Sequence, residues 1–231
     1  DDWVCLVSDD CSPPKGYEAI LSALEGDDRF VLSRSPGRLG FYRNFERALA
    51  AVPEGVEFVA LSDQDDVWYP DKLESLVSGI GDAQLIYSDQ RIVGEHGEVL
   101  AESYWGERSN SFDSLTSMLV ANTVTGAASL MRRSLLEKAL PFPETPGTQY
   151  HDQWLALVAL AASPAVLTRV VADTRAAGPV TERAIVLATL STLSTATADG
   201  GDQVGVAGHQ PPIVGAVAGQ VIEQGTPGSR L

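Results

Sequence analysis

Two short apolar runs in this chain each stop at a cluster of carboxylates. Val4-Cys5-Leu6-Val7 ends in Ser8-Asp9-Asp10, and Phe58-Val59-Ala60-Leu61 ends in Ser62-Asp63-Gln64-Asp65-Asp66. A run with no polar alternation reads as a strand buried on both faces, which is the signature of a parallel sheet. Such strands need crossover helices, and the intervening sequence supplies them. Tyr17, Ile20, Leu21 and Leu24 follow Pro13-Pro14 at helical spacing, and Phe41, Phe45, Ala48, Leu49 and Val52 form a second stripe. Tyr69, Leu73, Leu76, Val77 and Ile80 form a third, with Pro70 near its first turn. Further strands are expected at residues 30–32, 85–88 and 91–93, the last entering a hairpin at Glu95-His96-Gly97-Glu98. The expected fold class is therefore α/β, a mostly parallel sheet with helices on both faces. In such sheets ligands bind outside the carboxyl ends of the strands. Asp9, Asp10, Asp63, Asp65 and Asp66 should share that rim, and Asp89, after the 85–88 strand, should join them.

Charge narrows the partners. With a net charge of −15, the chain lacks the clustered Lys and Arg that a nucleic-acid backbone or an anionic membrane surface requires. A nucleotide diphosphate is compatible, because a divalent cation bound to carboxylates can hold it. Cys5 and Cys11 are too few for a disulfide framework and read as reduced thiols. No stretch reaches the roughly 18 uninterrupted apolar residues of a membrane span. The longest uncharged run here, from Trp154 to Thr168, is 15 residues broken by Pro164. A cytoplasmic protein is expected, peripheral at most to the inner face of the membrane.

A bare Asp-x-Asp after a strand is commonly just solvated. Three carboxylates in four positions repel one another unless a cation offsets them, and hard oxygen ligands suit Mg²⁺ or Mn²⁺. Asp152 stands where a helix begins, so the residues alone leave two roles open, a cap or dipole partner and a proton acceptor. Trp68, Trp105 and Trp154 read as core packing ahead of sugar stacking, and His151 as a surface group able to contact acceptor or phosphate.

The segment from Phe58 through Asp63-Gln64-Asp65-Asp66-Val67-Trp68-Tyr69-Pro70-Asp71-Lys72-Leu73 resembles the donor-binding motif of family 2 glycosyltransferases of the GT-A fold, particularly their rhamnosyltransferase-like branch. Four more blocks resemble the same pattern in order. They are Trp3 through Ser12, Leu39-Gly40-Phe41-Tyr42-Arg43-Asn44-Phe45, Asn122-Thr123-Val124-Thr125-Gly126 through Met131-Arg132-Arg133, and Tyr150-His151-Asp152-Gln153-Trp154. The resemblance implies a GT-A-like, Rossmann-like domain and an inverting transfer of a sugar, rhamnose in that branch, from a dTDP- or UDP-linked donor to a glycan or lipid-linked glycan of the cell envelope. It implies that Asp10, with Asp9 beside it, receives the pyrimidine N3–H. It implies that Asp65, assisted by Asp63, holds Mg²⁺ or Mn²⁺, and that Asp152 is the general base. Asp63 and Asp89 would complete the donor side.

Two departures from the family accompany these matches. The chain starts on the family's second strand, so it reads as a fragment whose first, central strand is missing, leaving a gap beside Val4–Val7. All 16 aromatic residues lie at or before Trp154, and the 77 residues beyond hold none. A catalytic domain at residues 1–171 is expected, with residues 165–171 as its last strand. A poorly packed tail should follow at 172–231, with a loose helix at 181–196 and disorder beyond Asp199. A non-catalytic remnant of such an enzyme is the alternative function.

Overall fold

The computed structural model describes residues 3–64, 66–94, 98–106, 114–144 and 150–162, together with the backbone of 168–170 and 184–190. In chain order the elements are β1 (Trp3–Asp9), α1 (Pro14–Leu24), β2 (Phe30–Arg34), α2 (Phe41–Ala50), β3 (Phe58–Asp63), α3 (Lys72–Gly79) and β4 (Leu85–Ser88). The small hairpin β5 (Ile92–Val93) and β6 (Val99–Ala101) follows, then α4 (Leu115–Val120), a 3-10 turn at Gly126–Ala128 and β7 (Ser129–Arg132). A second 3-10 turn, Arg133–Leu135, runs into α5 (Leu136–Ala139), followed by α6 (His151–Ala162), β8 (Thr168–Val170) and β9 (Ala184–Leu190).

Seven strands form one sheet in the order β2-β1-β9-β3-β7-β4-β8. It is mixed: β7 runs antiparallel to both β3 and β4, while β1 with β2, β9 with β1 and β3, and β4 with β8 pair in parallel. Side chains alternate across a strand, so β3 serves two cores at once. Val59 and Leu61 pack with Phe45 and Leu49 of α2 and Leu155 of α6, while Phe58 and Ala60 pack with Leu76 of α3 and with Ile80. None of these four β3 residues is more than 2% exposed. Full burial stabilises each of the larger ones by about 1.5–3 kcal/mol, which anchors β3 firmly between the two layers. A third cluster, Cys5, Val7 and Ile20, seats α1 on β1. Among the described residues no helix is long and apolar enough to cross a membrane.

The structure corrects the expectation for the distal part of the chain. Residues 184–190 are a strand, not a helix, and they lie between β1 and β3, in the gap expected beside Val4–Val7. The register pairs Cys5 and Ala60 with Val186, and Val7 and Ser62 with Ala188. The physical reason is local. Ala184-Ile185-Val186-Leu187 is itself an uninterrupted apolar run, and two flanking strands reward its pairing with backbone hydrogen bonds on both edges. The sheet thus continues past the boundary expected at residue 171. The strand expected at 165–171 is the shorter β8, and the region beyond Asp199 lies outside the described residues.

Amide exchange tests the placement of β9. The amides of residues 185–190 should exchange as slowly as those of β3, and Val186→Pro, which removes a ladder donor from a central strand, should lower the denaturation midpoint strongly. Exchange at the rate of an unprotected chain would remove β9 from the sheet.

Candidate functional site

The carboxyl ends of β1, β9 and β3 lie side by side, with Asp9 in register with Leu190 and Asp63 with Thr189. Asp9 and Asp63 are thus two strand spacings apart, about 10 Å. Each has a different environment.

Asp9 is fully buried. Both its oxygens accept from the Ser12 amide, at 3.2 and 3.1 Å, and Oδ2 faces the Arg34 guanidinium at 3.2 Å. Asp10 accepts from the amides of Leu39 at 2.7 Å and Gly40 at 2.9 Å, which orients the entry to α2. Gly40 has a φ of +81°, a conformation that costs a side-chain-bearing residue but not glycine. Beneath them Ser8 and Asn44 exchange two 2.8 Å hydrogen bonds, and Arg47 donates to the Ser8 hydroxyl. The two aspartates therefore already hold the loops of this rim in place.

Asp63 ends β3 and is half-buried; Asp66, two positions after the turn at Gln64, is half-buried too. Asp65 lies outside the described residues, as does His96. Among the described residues no three His, Cys, Asp or Glu side chains are grouped to hold a metal. Asp66 and Asp63 instead act electrostatically on Lys72, whose ammonium lies 3.6 Å from the centre of the Trp68 ring and donates to the Ala127 carbonyl. Burial pushes the Lys72 ammonium down to about 7 against the pull of Asp66 and Asp63. Sequence reasoning passed over Lys72, although a lysine nine residues after Asp63, opening the next helix, was visible.

Asp152 lies in the first turn of α6. Its carboxylate accepts from Asn122 Nδ2 at 3.0 Å, the Gly126 amide at 3.3 Å and the Gln153 amide at 2.7 Å. Gly126 opens the turn that leads into β7, and β7 runs antiparallel to β3, so this turn abuts the carboxyl end of β3. Asp152 is thereby tied to the rim that carries Asp63. Burial raises its pKa above the ordinary 3.8, overcoming the amides and Asn122, which favour the charged form.

His151 is not the surface group expected. It is buried, stacked on Phe45 with ring centres 3.7 Å apart, and neither ring nitrogen has a partner among the described residues. Burial pushes it down to about 3, so it is neutral at physiological pH and no cationic phosphate contact. Its ring also fills the space a side chain at Gly126 would need, with Nε2 2.6 Å from an added Cβ. Asp89 sits just past β4, where its oxygens accept from Gln90 N, Ser103 Oγ and Trp105 N, closing the loop after the β5–β6 hairpin. Trp105 is buried, and Trp154 donates its indole N–H to the Ala139 carbonyl at 2.9 Å. An open groove beside α2, lined by Leu39, Arg43, Glu46, Arg47, Leu140 and Pro141 among others, contains none of these carboxylates.

Carbon-13 titration of Asp152 should give a pKa above 3.8, because burial outweighs its hydrogen bonds. Asn122→Ala should raise it further, since Asn122 donates to the anion. A titration at or below 3.8 would mean that the amides of the helix start dominate.

The sequence model described as glycosyl transferase family 2 matches residues 1–140, well over half of the chain. No curated protein matches it significantly.

Proposed function

The chain belongs to glycosyl transferase family 2, and on that premise we propose that it transfers one sugar, rhamnose in the branch it resembles, from a dTDP- or UDP-linked donor to a glycan or lipid-linked glycan. Family membership makes it a glycosyltransferase acting on a nucleotide-sugar donor and an acceptor. The site assignments, inversion, metal assistance, donor identity and a cytoplasmic location at the inner membrane face are this proposal's own. The observation that carries it is the tie between Asp152, half-buried with a raised pKa, and the turn beside the end of β3 that bears Asp63.

The roles divide by environment. Asp152 takes the proton of the acceptor hydroxyl as its oxygen bonds to the anomeric carbon and the bond from that carbon to the diphosphate oxygen breaks. A raised pKa suits a group that must gain a proton, and Asn122 and Gly126 fix its direction. Asp63, with Asp65, would hold Mg²⁺ or Mn²⁺, whose charge stabilises the departing diphosphate. One or two carboxylates fit such a cation when substrate phosphates supply further oxygens. Asp10, with Asp9, lies beyond β9 on the nucleotide side.

One observation favours a second reading, a remnant that binds donor weakly. The oxygens of Asp9 and Asp10 are engaged by backbone amides and Arg34, which leaves fewer lone pairs for a pyrimidine N3–H. Titration of UDP and dTDP with and without Mn²⁺ separates the two readings, since only an intact site binds in a metal-dependent manner.

Asp152→Asn should cut single-turnover transfer by about 10²–10⁴-fold with little change in donor affinity. Asp63→Asn should weaken Mn²⁺-dependent donor binding as well as transfer. Near-normal transfer by Asp152→Asn would move the base elsewhere.

A further inference from the structure

Lys72 is a half-buried cation at the rim to which the proposed chemistry gives no task. It opens α3, and its side chain reaches the Gly126–Ala128 turn. There its ammonium covers the face of the half-buried Trp68 and donates to Ala127, in the middle of the turn whose first amide holds Asp152. The carboxylates of Asp66 and Asp63 act on it electrostatically and favour its charged form. Holding an ammonium partly out of water is costly unless its partners compensate. Here the partners come from both halves of the site: the acidic loop after β3 and the 3-10 turn before β7.

We propose that Lys72 is a positioning residue that ties the acidic loop to the Gly126–Ala128 turn, standing as a resident countercharge for Asp63 and Asp66 while it fixes the turn that orients Asp152. This rests on the reading of Asp63 as a cation ligand and Asp152 as a base. The turn's other contacts gather at its Gly126 end. Its Gly126 amide bonds Asp152, its Gly126 carbonyl accepts from Ser129 Oγ at 2.7 Å, and the His151 ring fills the space above Gly126. The Lys72 bond to Ala127 is the link from that turn to the donor motif. A lysine suits the task because a point charge on a long stem reaches a carbonyl and a ring face while staying within electrostatic range of carboxylates.

The two ends of this link can be read separately in the full-length chain. Mn²⁺ alone, titrated by the loss of its free-ion resonance, reports the acidic loop. Hydrogen exchange at the Gly126 amide reports the turn. Lys72→Met keeps the stem on Trp68 but removes the charge and the donor. It should tighten Mn²⁺ binding by roughly threefold to tenfold, because a competing cation is gone. It should also speed exchange at Gly126 by about tenfold or more while β3 stays protected, since only the local opening is eased. Lys72→Arg, which keeps charge and reach, should return both towards wild type. A lysine that only packs on Trp68 would leave both readouts unmoved, and a general loss of structure would weaken Mn²⁺ binding and expose β3. Either result overturns the proposal. If wild type binds no Mn²⁺, the metal part of the proposed function falls, and Gly126 exchange alone decides for or against Lys72. If Lys72→Met does not fold, Lys72→Gln carries the same comparison.

Discussion

The burial of β3 on both faces sets the terms for everything around it. A strand with no exposed side must have pairing partners on both edges, or its amides and carbonyls would be buried without hydrogen bonds. β7 supplies one edge and β9 the other, and both deliver chain ends to the same rim. β9 brings β1 and its aspartates to within two strand spacings of Asp63. β7, running the opposite way, brings the turn that holds Asp152. The site is a by-product of how one buried strand satisfies its backbone.

The rim then sorts its carboxylates by environment. Asp9 is matched by Arg34 and an amide, and Asp10 by two amides at the entry to α2. These are spent on holding loops. Asp63 and Asp66 lie within the electrostatic reach of the Lys72 ammonium, which they favour in its charged form. Asp152 has a carboxyl shifted upwards by burial, despite three donors within hydrogen-bond range. Residues of one type thus acquire different chemistry from desolvation and partners alone.

Much of this architecture was legible in the residues. The runs at Val4–Val7 and Phe58–Leu61 announce buried strands because nothing polar interrupts them, and the stripes through Phe45 and Leu49 or Leu76 and Ile80 announce the helices that cover them. β9 was misread because a lack of aromatic side chains argues against a self-sufficient core, whereas a strand inserted between two others needs only to pair and to fill a narrow slot. His151 was misread as a surface group because polarity in sequence says nothing about Phe45 stacking on it from another helix. Asp89 is on the expected rim, but its oxygens close a loop that brings Ser103 and Trp105 back to it, a contact 14 to 16 residues away.

What the sequence determined by itself was the set of elements, the acidic ends of two strands and, through ordered motifs, membership of a glycosyltransferase family. Those are local properties: hydrophobic period, turn chemistry and short motifs act over a few residues. The tertiary structure alone decided which strand lies between β1 and β3, that Asp152 is bound to the turn beside β3, and that its carboxyl is raised by burial rather than lowered by the helix start. It also decided that Lys72 reaches across to that turn. Each of these depends on groups tens of residues apart being removed from water together, and desolvation is a property of the folded packing, not of any segment within it.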